Sequence, residues 1–286
     1  MTQACSGDTL PPALVSICIP HWQVRELITL CLRAIRKYTV SIPIEIIVVD
    51  NGSQDDSLEY LRKLSWIRLI ERGSQTPTNW VKAFISALDI GLENSHGRYY
   101  VIMHTDTIVK RPDWLQRLIS GLGDDPQCAA AGAWKLEKDR PVYNLIKKVT
   151  DTKKAGLWLR RVLLLDSQAR QRKRELCPRD YCAIYRREPI RRFGLRFDDE
   201  AGKWRGYTAA ERMYYQLKEH GYYANTLPTS EMMLYMEHIA HATAGLRPSQ
   251  RHLNHWHAQK KVERKLRKFF QTPFISELQD NNALDE

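Results

Sequence analysis

Ile44–Asp50 reads IEIIVVD and stops abruptly at Asn51-Gly52-Ser53. A short run of branched apolar residues without polar alternation suits a strand buried on both faces of a parallel sheet. The Asn-Gly-Ser that follows is turn chemistry, and Ser53 or Asp55 is placed to cap a helix over Asp56–Leu64. Upstream, Leu14–Pro20 (LVSICIP) is a second apolar strand, and Leu27, Cys31, Ala34 and Tyr38 fall at helical spacing within Val24–Tyr38. Downstream, the pattern predicts a strand at Trp66–Ile70 and a helix at Val81–Leu92. A strand at Tyr99–His104 and a helix at Pro112–Leu122 follow, with proline near the helix's first turn. This alternation predicts an α/β fold with a doubly wound, mostly parallel sheet over the first ~125 residues. Such sheets bind ligands beyond the carboxyl ends of their strands. Asp50–Ser53 and His104–Thr107 are therefore the candidate site loops. A Rossmann dehydrogenase is disfavoured, because no GxGxxG follows the first strand.

The chain has 286 residues, 43% of them hydrophobic, enough for a sizeable core and against wholesale disorder. No apolar run approaches the roughly 20 residues that span a bilayer. The polar stretch Met1–Leu10 lacks the pattern of a secretory signal. The six cysteines are scattered without CxxC spacing, which suits free thiols in a reducing compartment. The expectation is a cytoplasmic globular protein. Its net charge of +11 is uneven: Lys135–Arg192 holds 18 basic against 7 acidic residues, and Arg251–Phe270 holds 7 against the single Glu263. That bias suggests anionic partners for the second half of the chain, such as lipid headgroups, a phosphorylated acceptor or nucleic acid.

The second half also predicts a helix at Gly156–Leu165, a strand at Arg179–Tyr185, and a helix at Thr208–His220 with a stop at Gly221. A His-rich turn at His238–Leu246 and a basic helix at Ser249–Phe270 complete it. In the basic helix Val262, Leu266, Phe269 and Phe270 form an apolar stripe among cations, a pattern suited to the inner face of a membrane. The alternative is an ordinary helix packed on the domain. No nucleic-acid module accompanies the charge, so no specific nucleic acid is expected as a partner.

Three segments, VSICIPHW, IIVVDNGSQDDS and GRYYVIMHTDTIVKRPDWL, occur in that order. Together they resemble family 2 glycosyltransferases of the GT-A fold. The resemblance is strong over residues 15–132 and weaker to about residue 245. It implies a flexible tail at 1–12, a nucleotide-sugar half at 13–135 and an acceptor half of the same domain at 136–245. A basic C-terminal helix and tail at 246–286 would follow. The implied activity is metal-assisted transfer, with inversion, from a UDP- or dTDP-sugar to a hydroxyl of a carbohydrate or lipid-linked acceptor. Cell-surface polysaccharide or glycolipid synthesis is the implied setting. A catalytically degenerate binding or scaffold protein on the same fold is the alternative.

The resemblance also assigns roles. Asp50 ends a buried strand, where it is able to accept from base or ribose; its other reading is a turn former or helix cap. Pro20 and His21 stand where the family forms the pocket rim, with His21-Trp22 replacing the common Tyr-Asn. Gly52, Ser53 and Thr105 belong to the donor loops. The family's Asp-x-Asp reads His104-Thr105-Asp106 here, so Asp106 would hold Mn²⁺ or Mg²⁺ with His104 in place of the first carboxylate. His238 and His241 lie in the segment where a histidine often completes the metal site. Inverting transfer needs a base for the acceptor hydroxyl. The family's Glu-Asp pair reads Ala209-Ala210 here, which leaves Glu211 first, with Asp199 and Asp198 behind it. Glu211 has a second reading as a solvated helix-face charge.

Overall fold

A computed structural model describes residues 14–136, 175–199, 202–204, 206–239, 242–246 and 256–286. The expected tail at 1–12, the helix at Gly156–Leu165 and His241 lie outside the described residues. The chain divides into two compact units, residues 137–176 and the rest; all that follows concerns the larger one.

Its first half alternates strand and helix as the sequence predicts. The elements are β1 (Val15–His21), α1 (Arg25–Tyr38), β2 (Ile44–Asp50), α2 (Ser57–Arg62), β3 (Ile67–Glu71), α3 (Trp80–Glu93) and β4 (Tyr99–Met103). A short β5 (Thr107–Val109), α4 (Trp114–Gly121) and β6 (Cys128–Ala133) follow. The second half supplies β7 (Cys182–Arg186), α5 (Arg187–Arg192), α6 (Ala209–Glu219), β8 (Tyr223–Leu227), α7 (Thr229–Tyr235) and β9 (Met236–His238). Helices α8 (Ala242–Leu246), α9 (Trp256–Phe270) and α10 (Pro273–Asp280) close the chain.

Seven strands form one sheet in the order β3-β2-β1-β4-β7-β6-β8. The first four are parallel and β7 alone runs against both its neighbours. One sheet therefore passes through both the 13–135 and the 136–245 stretches. Successive residues of a strand face opposite sides, and both sides are covered. Val15, Ile17 and Ile19 of β1 pack toward α1, while Cys18 of β1 with Ile47 and Val49 of β2 pack toward α3 and α6. That double burial is why IEIIVVD carries no polar alternation. Helix α3 comes close enough to the sheet to require Gly91, where a Cβ would stand 2.7 Å from the Tyr100 hydroxyl and closer still to Cys18 Sγ.

Helix α9 is described over Trp256–Phe270; the earlier part of the expected basic helix, from Ser249, lies outside the described residues. Its Val262, Leu266 and Phe269 are buried in the same core as α1. The stripe read as a membrane-contacting face is thus used in packing, as in the alternative reading. Among the described residues no helix is long and apolar enough to cross a membrane.

Candidate active site

The loops beyond β1, β2 and β4 meet at the carboxyl edge of the sheet. The register sets His21 beside Asp50. Asp50 is 1% exposed and spends its carboxylate on its own turn: Oδ2 accepts from the Gly52 and Ser53 amides at 3.0 Å each, and Oδ1 from Ser53 Oγ at 2.5 Å. The turn needs a positive φ of 75° at Gly52, which favours a residue without Cβ. The turn-former reading of Asp50 is therefore realised. Oδ2 is saturated by the two amides, and Oδ1 retains one lone pair for a further donor.

His21 and Pro20 are both buried, so neither lines an open rim. His21 Nε2 shares a 2.8 Å hydrogen bond with Ser57 Oγ, and the Ser57 hydroxyl also donates to Asp55. Burial pushes His21 down to about 4 against the opposing pull of Asp50 and Asp55. The residues that follow, Gln23 and Val24, have positive φ (53° and 65°), a strained conformation for a β-branched side chain. Two bonds hold that turn: Gln23 N–H donates to Ser53 Oγ and Val24 N–H to Asp55 Oδ2, each at 2.7 Å. The loops after β1 and β2 are thereby clamped to one another.

Beyond β4 the chain turns through His104 and Thr105, both half-buried, to the buried Asp106. Strand β5 then pairs antiparallel with β9, with Thr107 opposite His238, and Ile239 N–H donates to Asp106 O at 3.0 Å. This small ribbon carries His238 across roughly half the chain to the β4 loop. His238 Nε2 lies 3.4 Å and His104 Nδ1 3.7 Å from Asp106 Oδ1. One ligand atom from each of the three lies within 4.8 Å of the others. Asp106 Oδ1 and His104 Nε2 are buried without a hydrogen-bond partner. Metal–ligand bonds near 2.1 Å put neighbouring ligand atoms about 3.0–3.4 Å apart, so the cluster is nearly the size of a cation's coordination edge. Burial would raise the Asp106 carboxyl, yet His238 and His104 outweigh it and hold it well below the usual carboxylate range. Two imidazoles, one ionised carboxylate and orphaned buried polar atoms fit a divalent ion. Phe84 of α3 stacks edge-on to His104 at 4.9 Å and Tyr181 packs on His238 at 4.9 Å, which fixes both rings.

The residues expected to supply a base are placed differently. Glu211 is 1% exposed rather than solvated. It closes a capping box with Thr208, accepting from the Thr208 amide at 2.9 Å, and its other oxygen pairs with Arg179 at 3.1 Å. With both oxygens committed, Glu211 shapes the start of α6. Asp198 faces Arg212 at 3.5 Å, and Asp199 accepts from the Trp204 amide at 2.5 Å. A carboxylate that sequence reasoning did not single out, Asp180, lies near this turn. Strand β7 pairs Cys182 with Met103, and the His104 amide donates to Tyr181 O, so Asp180 falls opposite the His104–Thr105 turn. Its Oδ1 accepts from the Ala210 amide at 2.6 Å, desolvation raises its pKa, and the charge field of His104 reaches it. The only sequence signal was a carboxylate near the start of the predicted strand RDYCAIY.

Comparison with known proteins follows the same lines. The model of "Glycosyl transferase family 2" matches residues 16–194. An uncharacterized glycosyltransferase of Haemophilus influenzae is 29% identical over 121 residues, covering 42% of this chain and 36% of that protein. The mannosyltransferase PcManGT of Pyrobaculum calidifontis, solved with GDP-Man and Mn²⁺, superposes with a TM-score of 0.52 at 20% identity. That match covers 76% of this chain and 55% of the other. The chain thus spans about a third of the one relative's length and about half of the other's. The fold is the mostly parallel α/β arrangement of GT-A glycosyltransferases, and the chain belongs to glycosyl transferase family 2.

Proposed function

We propose that the protein transfers a sugar from a nucleoside-diphosphate donor to an acceptor hydroxyl, with a divalent cation held by His104, Asp106 and His238. The observation that carries this is the His-Asp-His cluster around the buried Asp106 at the carboxyl edge of the parallel strands, where such sheets bind ligands. A cation there supplies charge neutralisation for a departing diphosphate. Two imidazoles with one carboxylate suit Mn²⁺ better than Mg²⁺, which prefers an all-oxygen shell. Asp50, Gly52, Ser53 and Thr105 frame the donor, with the remaining lone pair of Asp50 Oδ1 offered to base or ribose. The donor is read as UDP- or dTDP-linked, the acceptor as a carbohydrate or lipid-linked hydroxyl, and the outcome as inversion.

In this reading Asp180, rather than Glu211, takes the proton from the acceptor hydroxyl. The strand register sets it opposite the His104–Thr105 turn, and its Oδ1 accepts from the Ala210 amide. The engagement of both Glu211 oxygens favours a second reading, a binding protein that has lost its base. Donor hydrolysis and transfer measured over UDP-, dTDP- and GDP-sugars, with and without Mn²⁺, separate the two. Metal-dependent turnover that disappears in Asp106→Ala supports the enzyme. Donor binding without turnover toward any donor supports the binding protein.

A further inference from the structure

The opposite edge of the sheet carries an arginine-lined cleft of about 460 Å³ between the α3–β4 loop and α5. Its walls are Arg98, Arg187, Arg191 and Arg192, with Glu188 the one carboxylate among its lining residues. Arg98 precedes the first residue of β4, and α5 starts where antiparallel β7 ends, with Arg186 opposite Tyr99. Six residue steps of about 3.3 Å put the cleft roughly 20 Å along the strand from His104. It is therefore separate from the cation cluster.

Arg187 is fixed: it donates to Ser95 O, to Ser95 Oγ at 3.3 Å and to His96 O at 3.0 Å. Burial lowers its pKa, and the like charge of Arg191 lowers it further. Arg98 and Arg192 lie over the rings of Tyr99 and Phe193, each 5.3 Å from the centroid. Among the described residues Arg98, Arg191 and Arg192 make no ion pair. Four guanidiniums facing one carboxylate repel one another and leave an excess of positive charge. A ligand that neutralises it relieves that repulsion, and guanidinium forks match phosphate oxygens two at a time.

We propose that this cleft is a binding site for a small diphosphate-bearing anion, distinct from the donor site. Isothermal titration with inorganic pyrophosphate, in EDTA and at physiological salt, tests it. EDTA removes the cation on which the donor site depends. The expected result is one equivalent bound, retained in Asp106→Ala. Arg191→Ala should weaken it about tenfold and Arg98→Ala/Arg191→Ala about a hundredfold, as loss of charge-assisted hydrogen bonds requires. Glu188→Gln should tighten it. Thermal melts at the wild-type midpoint exclude misfolding of the variants at Arg98, Glu188 and Arg191, none of which touches the cation cluster. Absent heat, binding lost in Asp106→Ala, or affinity indifferent to the arginines overturns the proposal. So does attachment to phosphatidylglycerol vesicles without pyrophosphate binding, which would assign the face to a membrane. Manganese-dependent transfer by the wild type is measured separately and needs none of the cleft arginines, so the proposal fails separately from the proposed activity.

Discussion

Replacing Asp285 by alanine should loosen the hold of α1 and α2 on the last residues of the chain. Arg33 of α1, 5% exposed, donates through Nε and Nη2 to Asp285 at 2.8 and 2.6 Å. It also donates to Leu278 O at 2.9 Å, Gln279 O at 2.5 Å and Asn282 Oδ1 at 2.6 Å. Tyr60 Oη donates to the same carboxylate at 2.8 Å. Asp285→Ala leaves a buried guanidinium without its counter-charge, which costs about 3–5 kcal/mol. The side chain of Asp285 retains 23% exposure, so water offsets part of this and the low end, about 3 kcal/mol, is expected. For a chain of this size that lowers Tm by about 6 °C. Arg33 and Tyr60 hold the Asp285 carboxyl below its ordinary value despite burial, which acts the other way. The stabilisation is thus full above an unfolded pKa of about 3.9 and lost as pH falls through the lower folded value. Denaturant melts of wild type and Asp285→Ala at pH 7 and at pH 3 check both parts. The reasoning is refuted if the two proteins melt alike at pH 7, or if the gap persists undiminished in acid.

Three further outcomes follow from the site. His21 is depressed to about 4 in the folded protein, so its contribution is lost as pH falls from about 6.5 through 4, by about 3 kcal/mol in all. His21→Gln should flatten that stretch of the stability–pH curve measured in urea. Gly91→Ala places a Cβ against Cys18 and Tyr100 and should cost about 2 kcal/mol in thermal melts, as overpacking does. Asp180→Asn keeps an acceptor for the Ala210 amide; it should leave Tm and donor affinity unchanged and lower kcat by about 100-fold or more. An unchanged kcat would remove Asp180 from the proposed role.

The first four strands and three helices were legible because burial on two faces and helical spacing leave plain marks, as in IEIIVVD and Leu27–Cys31–Ala34–Tyr38. Strand β6 was not. CAAAGA has little β-propensity, and it is a strand because β7 and β8 pair with it on either side. The antiparallel direction of β7 was also hidden, since pairing direction depends on a connection rather than on local residues. At the site, His104 and Asp106 were readable from one loop. His238 was readable only by resemblance, because a three-residue ribbon with no local signature brings it there. Glu211 admits two roles at once for a physical reason. A glutamate three residues after a threonine is both a plausible base and half of a capping box, and the box took it. Asp180 gave no warning, since its placement depends on strand pairing and on a helix amide thirty residues later.

The account stands on His104, Asp106 and His238 holding one cation. Electron paramagnetic resonance of free Mn²⁺, titrated with protein in the presence of a nucleoside diphosphate, measures that directly. One equivalent should bind to the wild type, and Asp106→Ala and His238→Ala should each weaken it by about 100-fold. If Mn²⁺ binds both variants as tightly as the wild type, the cation lies elsewhere and the proposed chemistry loses its centre.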